Sequence, residues 1–401
     1  VYFGGFRGKK NGMGTGWFKN AIVYHILIDR FAGYTKPQRW DRPEFIGGNL
    51  RGIIDKLGYI RDLGANTIWL SPFCETSAYH GYHVTDFFKV DPHFGTLDDL
   101  NELIGKAHAA GIKIIADFVP NHCSREHRFF KAAQADRTSD YFPWFTFKKW
   151  PRKYLCFLSF SEIPKLNLQY PPARRHIIDA AKYWLSLGID GFRLDHCIGP
   201  THDFWQDFQQ QIKADYPDCV LIGEAWLMGI RFRELNTINV RHKYRIWLRG
   251  QAPEALYKDY IGELDGVLDF KCRLIMEELA HGKIDRDAAL AKCQKHIGRF
   301  PPDFYLATFL DNHDMDRFLF ISGQDTEKLK QAAGVQFSLP GPKIIYYGTE
   351  TGLTQEKTVW DIPANGDLQA RRPMDWENQD KELLELYKKL IPETSRCFIK
   401  S

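Results

Sequence analysis

Residues 188–197 read GIDGFRLDHC. As a β-strand, this stretch turns its side chains alternately to two faces. Phe192 and Leu194 then share one face, and Arg193 and Asp195 share the other. The apolar face suits packing against a layer of helices. The opposite face is unusual, because desolvating two charges costs several kcal/mol per ion before their attraction offsets any of it. Such a pair at a strand's C-terminal end is read as held there for chemistry.

Outward from this strand, short apolar runs recur at Ala21–Asp29, Asn66–Ser71 and Ile112–Val119 on one side. Val220–Glu224, Asp265–Phe270, Phe304–Leu310 and Lys343–Tyr347 follow on the other. Apolar residues at helical spacing fill the intervals. A helix opened by Asn49 and Leu50 stops at Gly64, a second covers Leu97–Ala110, and a third covers Ala173–Leu187. Others lie around Phe204, Phe208 and Ile212, at 271–281, 285–298 and 326–338, and at Lys381–Leu390. Eight short strands alternating with helices predict a parallel sheet that closes into an α/β (β/α)8 barrel built from residues 21–120 and 169–401. An open doubly wound sheet would want a Gly-rich phosphate turn after the first strand, and Ile28-Asp29-Arg30-Phe31 is not one. Residues 1–20 read as an irregular lead-in. Residues 121–168 are too long for a βα connection. With rings such as Phe129, Trp144, Phe157 and Phe160, they read as a small inserted subdomain over the barrel's C-terminal rim. Most of these rings serve that lobe's core, and one or two are candidate ligand platforms.

A length of 401 residues fits one barrel with insertions. A hydrophobic share of 44% beside 26% charged residues excludes disorder. A net charge of +4 argues for neither nucleic acid nor membrane as partner. Aromatics at 14% suit a sugar site or a generous core. No apolar run is long enough to span a bilayer and no signal pattern opens the chain, although it begins at Val1 rather than Met. The eight cysteines form no C-x-x-C pair and no cluster with zinc spacing. They read as free buried thiols of a reducing compartment, hence a cytoplasmic protein, though a processed N-terminus would be compatible with secretion.

In such a barrel the active site gathers residues from the C-terminal ends of strands. Here those ends read Asp117-Phe118-Val119-Pro120-Asn121-His122, Arg193-Leu194-Asp195-His196, Gly223-Glu224-Ala225-Trp226 and Leu310-Asp311-Asn312-His313-Asp314. Asp195, Glu224 and Asp314 thus converge on one rim. Paired carboxylates are what glycosidic bond cleavage needs, one as nucleophile or base and one as proton donor. Arg193 is expected to keep Asp195 ionised with a low pKa, while Glu224 has the more apolar setting of a proton donor.

Taken in order, DFVPNH, GFRLDHC, GEAW and FLDNHD resemble the four signature regions of the α-amylase superfamily, glycoside hydrolase family 13. The resemblance extends to Gly81-Tyr82, the segment from Val90 to Thr96, YYGTE at 346–350 and RPMDW at 372–376. It implies a retaining mechanism with Asp195 as nucleophile, Glu224 as general acid/base and Asp314 as transition-state stabiliser. Arg193 supports Asp195 and Asp117 is a structural acid. His122, His313 and Tyr82 bind the sugar at the cleavage site, and Arg372, with Asp367, reaches the neighbouring sugar. Ile163-Pro164-Lys165-Leu166-Asn167 is similar to the MPKLN-type segment of the cyclomaltodextrinase, neopullulanase and maltogenic amylase group. That group's N-terminal β-domain and the family's C-terminal β-sandwich are not read in the chain, which implies a minimal or truncated barrel. No cofactor is required. Calcium is a candidate at Asn121, with Asp136 or Asp140 as further oxygen donors. A Lys-His pair common beyond the nucleophile is replaced by Ile198 and Gly199.

The implied activity is hydrolysis of α-1,4 and also α-1,6 bonds in maltooligosaccharides, cyclodextrins or starch. The rivals are an α-glucan transglycosylase using the same intermediate, and a non-catalytic glycan-binding or partner barrel. The basic insertion Arg231–Arg249 reads as a solvated lid. Oligomeric state is not legible.

Overall fold

The computed structural model describes residues 14–34, 39–158, 160–226, 253–360 and 366–391. The basic insertion at 231–249 and Cys397 lie outside them. The eight expected runs form strands β1 (Ile22–Ile26), β2 (Thr67–Leu70), β3 (Lys113–Phe118), β4 (Gly191–Leu194), β5 (Val220–Gly223), β6 (Gly266–Leu268), β7 (Tyr305–Phe309) and β8 (Lys343–Tyr346). Each pairs in parallel with its neighbour, and β1 pairs with β8 to close the barrel. Around it lie helices α1 (Leu50–Asp55), α2 (Leu57–Leu63), α3 (Leu97–Ala109), α4 (Pro171–Ser186), α5 (His202–Asp215), α6 (Phe270–Ala280), α7 (Arg286–Ile297), α8 (Thr326–Ser338) and α9 (Lys381–Leu390).

The period-two reading of β4 holds. Phe192 and Leu194 join the core between strands and helices, with the Phe192 ring 5.1 Å from Phe118. The barrel interior is a separate cluster that includes Val23, Trp69, Ile115, Ile222, Leu268, Phe309 and Ile344. Arg193 enters this inner space and lies 5.3 Å over the Trp69 ring.

Several elements depart from expectation. The first apolar run ends as a strand at Ile26, because the Ile28 N–H donates to Ser71 Oγ (3.1 Å) and the backbone turns into one helical turn, Ile28–Phe31. The helix after β1 is broken at Lys56 (ψ 4°) into α1 and α2; Asn49 caps α1 by accepting from Gly52 N, and Gly64 ends α2 at φ 97°. A hairpin of Cys74–Thr76 with Val84–Val90 lies between β2 and α3, and its bulged register hides the alternation that would have marked it. In the lead-in, Gly14–Asn20 is a short 3-10 helix. Its Phe18 joins the barrel's inner cluster, and Thr15 O accepts from Tyr305 Oη.

Residues 121–168 leave the barrel between β3 and α4. They hold a helix, Arg128–Ala135, and a hairpin of Phe147–Lys149 with Lys153–Tyr154. Ring contacts knit this lobe: Phe129 stacks on Tyr141 at 4.0 Å and Phe130 packs edge-on against Phe145 and Tyr154. Isolated bridges His122–Lys165 and Phe145–Leu166 tie its two ends together.

The start of β4 has no room for a side chain. A Cβ on Gly191 would sit 2.5 Å from both the Val220 carbonyl oxygen and Val220 Cγ1. Gly191→Ala is expected to lower stability by roughly 1–3 kcal/mol through displacement of β4 from β5. Urea denaturation of the two proteins measures it; an unchanged midpoint would show that this contact is slack.

Candidate active site

The site grows from strand ends. Asp117 is near the end of β3, Arg193 is in β4 with Asp195 one residue past it, and Glu224 follows β5. In the parallel register Asp117 pairs with Arg193, and Leu194 with Gly223, so Asp195 and Glu224 leave neighbouring strands side by side. Arg193 is fully buried. Its Nη1 donates to Asp117 Oδ1 (2.8 Å) and Asp195 Oδ1 (2.9 Å), and its Nη2 lies 2.5 Å from Glu224 Oε1. One guanidinium therefore serves three carboxylates. Asp117 also accepts from Tyr82 Oη (2.7 Å) and Trp69 Nε1 (3.2 Å).

His196, directly after Asp195, has φ 43°, an uncommon conformation for a residue with a side chain. That turn aims its backbone N–H at Glu224 Oε2 (2.9 Å). Strain of this kind persists where the surroundings over-determine it, as at active sites.

A second charge group holds Asp314. His313 Nε2 lies 3.0 Å from Asp314 Oδ2 and 2.7 Å from Tyr82 Oη, so Tyr82 links the two groups. Arg371 Nη2 donates to Asp314 Oδ1 (2.8 Å), Arg371 Nε donates to His313 O, and Arg371 Nη1 pairs with Asp367.

These surroundings separate the acids. Burial raises Asp314, yet His313 and Arg371 outweigh it and hold Asp314 far below its ordinary range. Burial raises Glu224 to about 7 against the pull of Arg193, with Asp314 adding to the rise. Asp195 is also pushed well above its ordinary value, by burial first, with Glu224, Asp117 and Asp314 adding and Arg193 opposing. The expectation that Arg193 keeps Asp195 low is thus corrected. Its single positive charge is divided among Asp117, Asp195 and Glu224, and three buried carboxylates with one cation retain a proton between them.

His122 is buried, with Nε2 3.9 Å from Asp195 Oδ2 and without a hydrogen-bond partner. Burial, with His83 and Lys165 nearby, lowers it to about 3, so it is neutral. Asn121 Nδ2 lies 3.2 Å from His122 Nδ1, and Nε2 is the ring nitrogen near Asp195. Asp195, Glu224, Asp314, Tyr82, His122, Arg193, His313 and Asp367 are thus brought to one rim. Arg372 is the exception: its Nη2 pairs with Glu356 (2.8 Å) and its guanidinium covers Trp40 at 4.4 Å. The residue that grips the carboxylates is Arg371, and its i, i+4 spacing from Asp367 was the signal available.

Calcium does not fit at Asn121. Asn121 Oδ1 is buried and without a partner, but Gly199 O, next to it, already accepts from the Lys165 ammonium (2.6 Å). Asp136 is exposed and bound to Thr138, and Asp140 is exposed too.

Aromatic rings flank the acids. Phe157 of the inserted lobe contacts the rings of His122 (5.0 Å) and His196 (4.6 Å). On the other side Trp226, Phe270, Met315 and Trp360 line a cavity of about 270 Å³, with Trp226 stacked on Phe270.

Residues 10–383 match the family described as Alpha amylase, catalytic domain. The chain belongs to the α-amylase family. It is 36% identical over 384 residues to the Alpha-amylase 2 of Dictyoglomus thermophilum, covering 94% of this chain and 63% of that protein. It is 32% identical over 399 residues to the cyclomaltodextrinase of Thermoanaerobacter pseudethanolicus, with the same coverage of 94% and 63%. The chain therefore spans less than two-thirds of the length of these curated relatives. Among solved structures, the ligand-free cyclic alpha-maltosyl-(1→6)-maltose hydrolase from Arthrobacter globiformis superposes with a TM-score of 0.79 at 28% identity, covering 96% of this chain and 86% of that one. Like other α-amylase-family barrels, the chain is a closed (β/α)8 barrel. No helix among the described residues is long and apolar enough to cross a membrane.

The Arg371 geometry has a kinetic consequence. Arg371→Met is expected to lower kcat/KM on a maltooligosaccharide by roughly 10²–10³-fold. Arg372→Ala should stay within about fivefold of the parent, because its ionic partner Glu356 is largely exposed. Steady-state kinetics on both variants decides, and the reverse ranking would restore Arg372.

Proposed function

We propose that the chain is a retaining glycoside hydrolase that cleaves α-1,4 glucosidic bonds of maltooligosaccharides, cyclodextrins or starch, with α-1,6 bonds as a second linkage. The observation that carries this reading is that the two terminal nitrogens of Arg193 contact Asp195 and Glu224 at once. Two acids held that close leave room for direct attack on a sugar carbon, but little for a water between acid and sugar. The family membership and the names of the relatives support the same substrate class.

In this mechanism Asp195 attacks the anomeric carbon while Glu224 gives its proton to the departing glycosidic oxygen. A covalent glycosyl ester forms on Asp195 and the leaving sugar departs with a free hydroxyl. Glu224, now ionised, takes a proton from water. The resulting nucleophile opens the ester and returns Asp195 as a carboxylate. Asp314, held ionised by His313 and Arg371, faces the positive charge that develops on the ring. His122 Nε2 and the Tyr82–His313 pair supply donors and a ring face to the sugar at the cleavage point. Arg193 keeps Asp195 aligned and supplies the positive charge against which the shared proton moves to Glu224.

The same residues serve a transglycosylase when a sugar replaces water at the second step, and product analysis separates the two. A non-catalytic barrel is disfavoured by the presence of all three carboxylates with their supporting partners. The reaction is also proposed to need no calcium, because Lys165 supplies the positive charge at Gly199. Millimolar calcium added to the protein as isolated should leave its melting temperature unmoved, and a clear rise would contradict this.

The acid balance predicts the pH profile. Glu224 must be protonated to act, so kcat/KM should fall as pH rises through about 7. Asp195 must be ionised, and its raised value sets an acidic limb above the ordinary carboxylate range. The expected bell is narrow. Glu224→Gln should lose the basic limb along with roughly 10²–10⁴ of rate, and Asp195→Asn should lose roughly 10⁴-fold or more. A basic limb that survives in Glu224→Gln would assign the proton donor elsewhere.

A further inference from the structure

Away from the catalytic rim, the pairing of α6 with α7 gathers metal-ligand side chains that the glycosidase reading does not use. Asp269 caps α6, Cys272 lies one turn along it, and Cys293 and His296 lie one turn apart near the end of α7. All four are buried. One ligand atom each from Asp269, Cys272 and His296 fall within 4.8 Å of one another, and His296 Nε2 is 3.1 Å from Asp269 Oδ1. The Cys272 thiol is in hydrogen-bond contact with Cys293, and neither is in a disulfide. In sequence this is D-x-x-C followed after twenty residues by C-x-x-H. It brings together four side chains of metal-ligand type without a C-x-x-C pair.

We propose that Asp269, Cys272, Cys293 and His296 form a structural zinc site. The donor set is two sulfurs, one imidazole nitrogen and one carboxylate oxygen, which suits four-coordinate zinc. With bonds of about 2.0–2.3 Å, tetrahedral ligand atoms lie roughly 3.3–3.8 Å apart. For Asp269, Cys272 and His296 the present spacing needs less than about 1.5 Å of contraction to reach that, and Cys293 joins them through its contact with Cys272. Two further features point to a ligand. Asp269 Oδ2 is buried without a partner, although Oδ1 accepts from Lys271 N and Cys272 N. The far side of the imidazole is also held as in metal-ligating histidines: Nδ1 lies 3.2 Å from Glu254 Oε1, which in turn accepts from Arg299 Nη1 (3.1 Å).

Binding displaces one proton from each thiol and the proton on His296 Nε2, so the two thiolates, the carboxylate and the metal together carry one negative charge. That charge lies at the N-terminus of α6, where the helix dipole favours it. The ion would lock the start of α6, from which Phe270 and Arg273 project into the cavity beside Trp226.

The test is metal content and spectroscopy on the tag-free chain, dialysed against zinc and then against zinc-free buffer. Elemental analysis should give one zinc per chain, and the metal should raise the melting temperature over chelator-treated protein by several degrees. Cobalt put in its place should show a thiolate-to-metal charge-transfer band with the intense visible bands of a tetrahedral site. Cys272→Ser and His296→Asn should each lose the bound metal, and Asp195→Asn should keep it. If a ligand variant does not fold, the cobalt spectrum of the parent still decides. Failure to retain zinc, a cobalt spectrum without thiolate bands, a Cys272–Cys293 disulfide in the freshly isolated protein, or zinc retained by His296→Asn would each overturn the proposal. The first of these would leave a buried Asp269–His296–Glu254 ion triad as the function of the cluster.

Discussion

A single guanidinium has to balance three largely buried carboxylates, and the upper rim of the barrel is organised around that shortage of positive charge. Removing Arg193 would leave Asp117, Asp195 and Glu224 with hydrogen bonds but no ionic partner. Leaving even one buried charge unpaired costs about 3–5 kcal/mol. With Arg193 present the group is still short of two positive charges, and keeping one proton halves that deficit. Burial of the whole group raises Asp195 and Glu224 together, and the proton's place between them is what the chemistry uses. Asp314 escapes the shortage because Arg371 and His313 serve it separately.

The barrel makes this arrangement possible by its register. Parallel strands lie about 4.8 Å apart, and inward residues alternate along each. Asp117 and Arg193 are register partners on β3 and β4, so a side chain of arginine length reaches the acids on the strands to either side. The inner cluster of Trp69, Ile115 and Ile222 closes the space beneath it, and His25 stacks on Trp69 at 3.6 Å, kept neutral by burial. Above, the inserted lobe brings Phe157 against His122 and His196. The floor beneath the charged layer is apolar.

Much of this was legible in the chain because the signals are local. The alternation in GFRLD placed Arg193 and Asp195 on one face, and the eight apolar runs located every barrel strand to within a few residues. Charge balance was not legible. Seeing Asp195 beside Arg193 in sequence suggested a private pair, whereas two competing carboxylates come from residues 76 and 31 positions away in the chain. Arg371 was overlooked in favour of Arg372 because adjacent arginines differ only in which way the backbone turns them. The hairpin at Cys74–Val90 was missed because its bulges break period two, and the Asp269–His296 cluster because its side chains come from two helices twenty residues apart.

The central claim is that Asp195 becomes covalently bonded to the sugar. Inactivation with a fluorinated α-glucosyl fluoride, followed by peptide mass spectrometry, reads this directly. The account predicts one fluoroglucosyl increment per chain, located by fragmentation on Asp195 within the peptide containing GFRLDHC. A label on another residue would contradict it, as would release of the inverted anomer from substrate by an enzyme that never acquires a label.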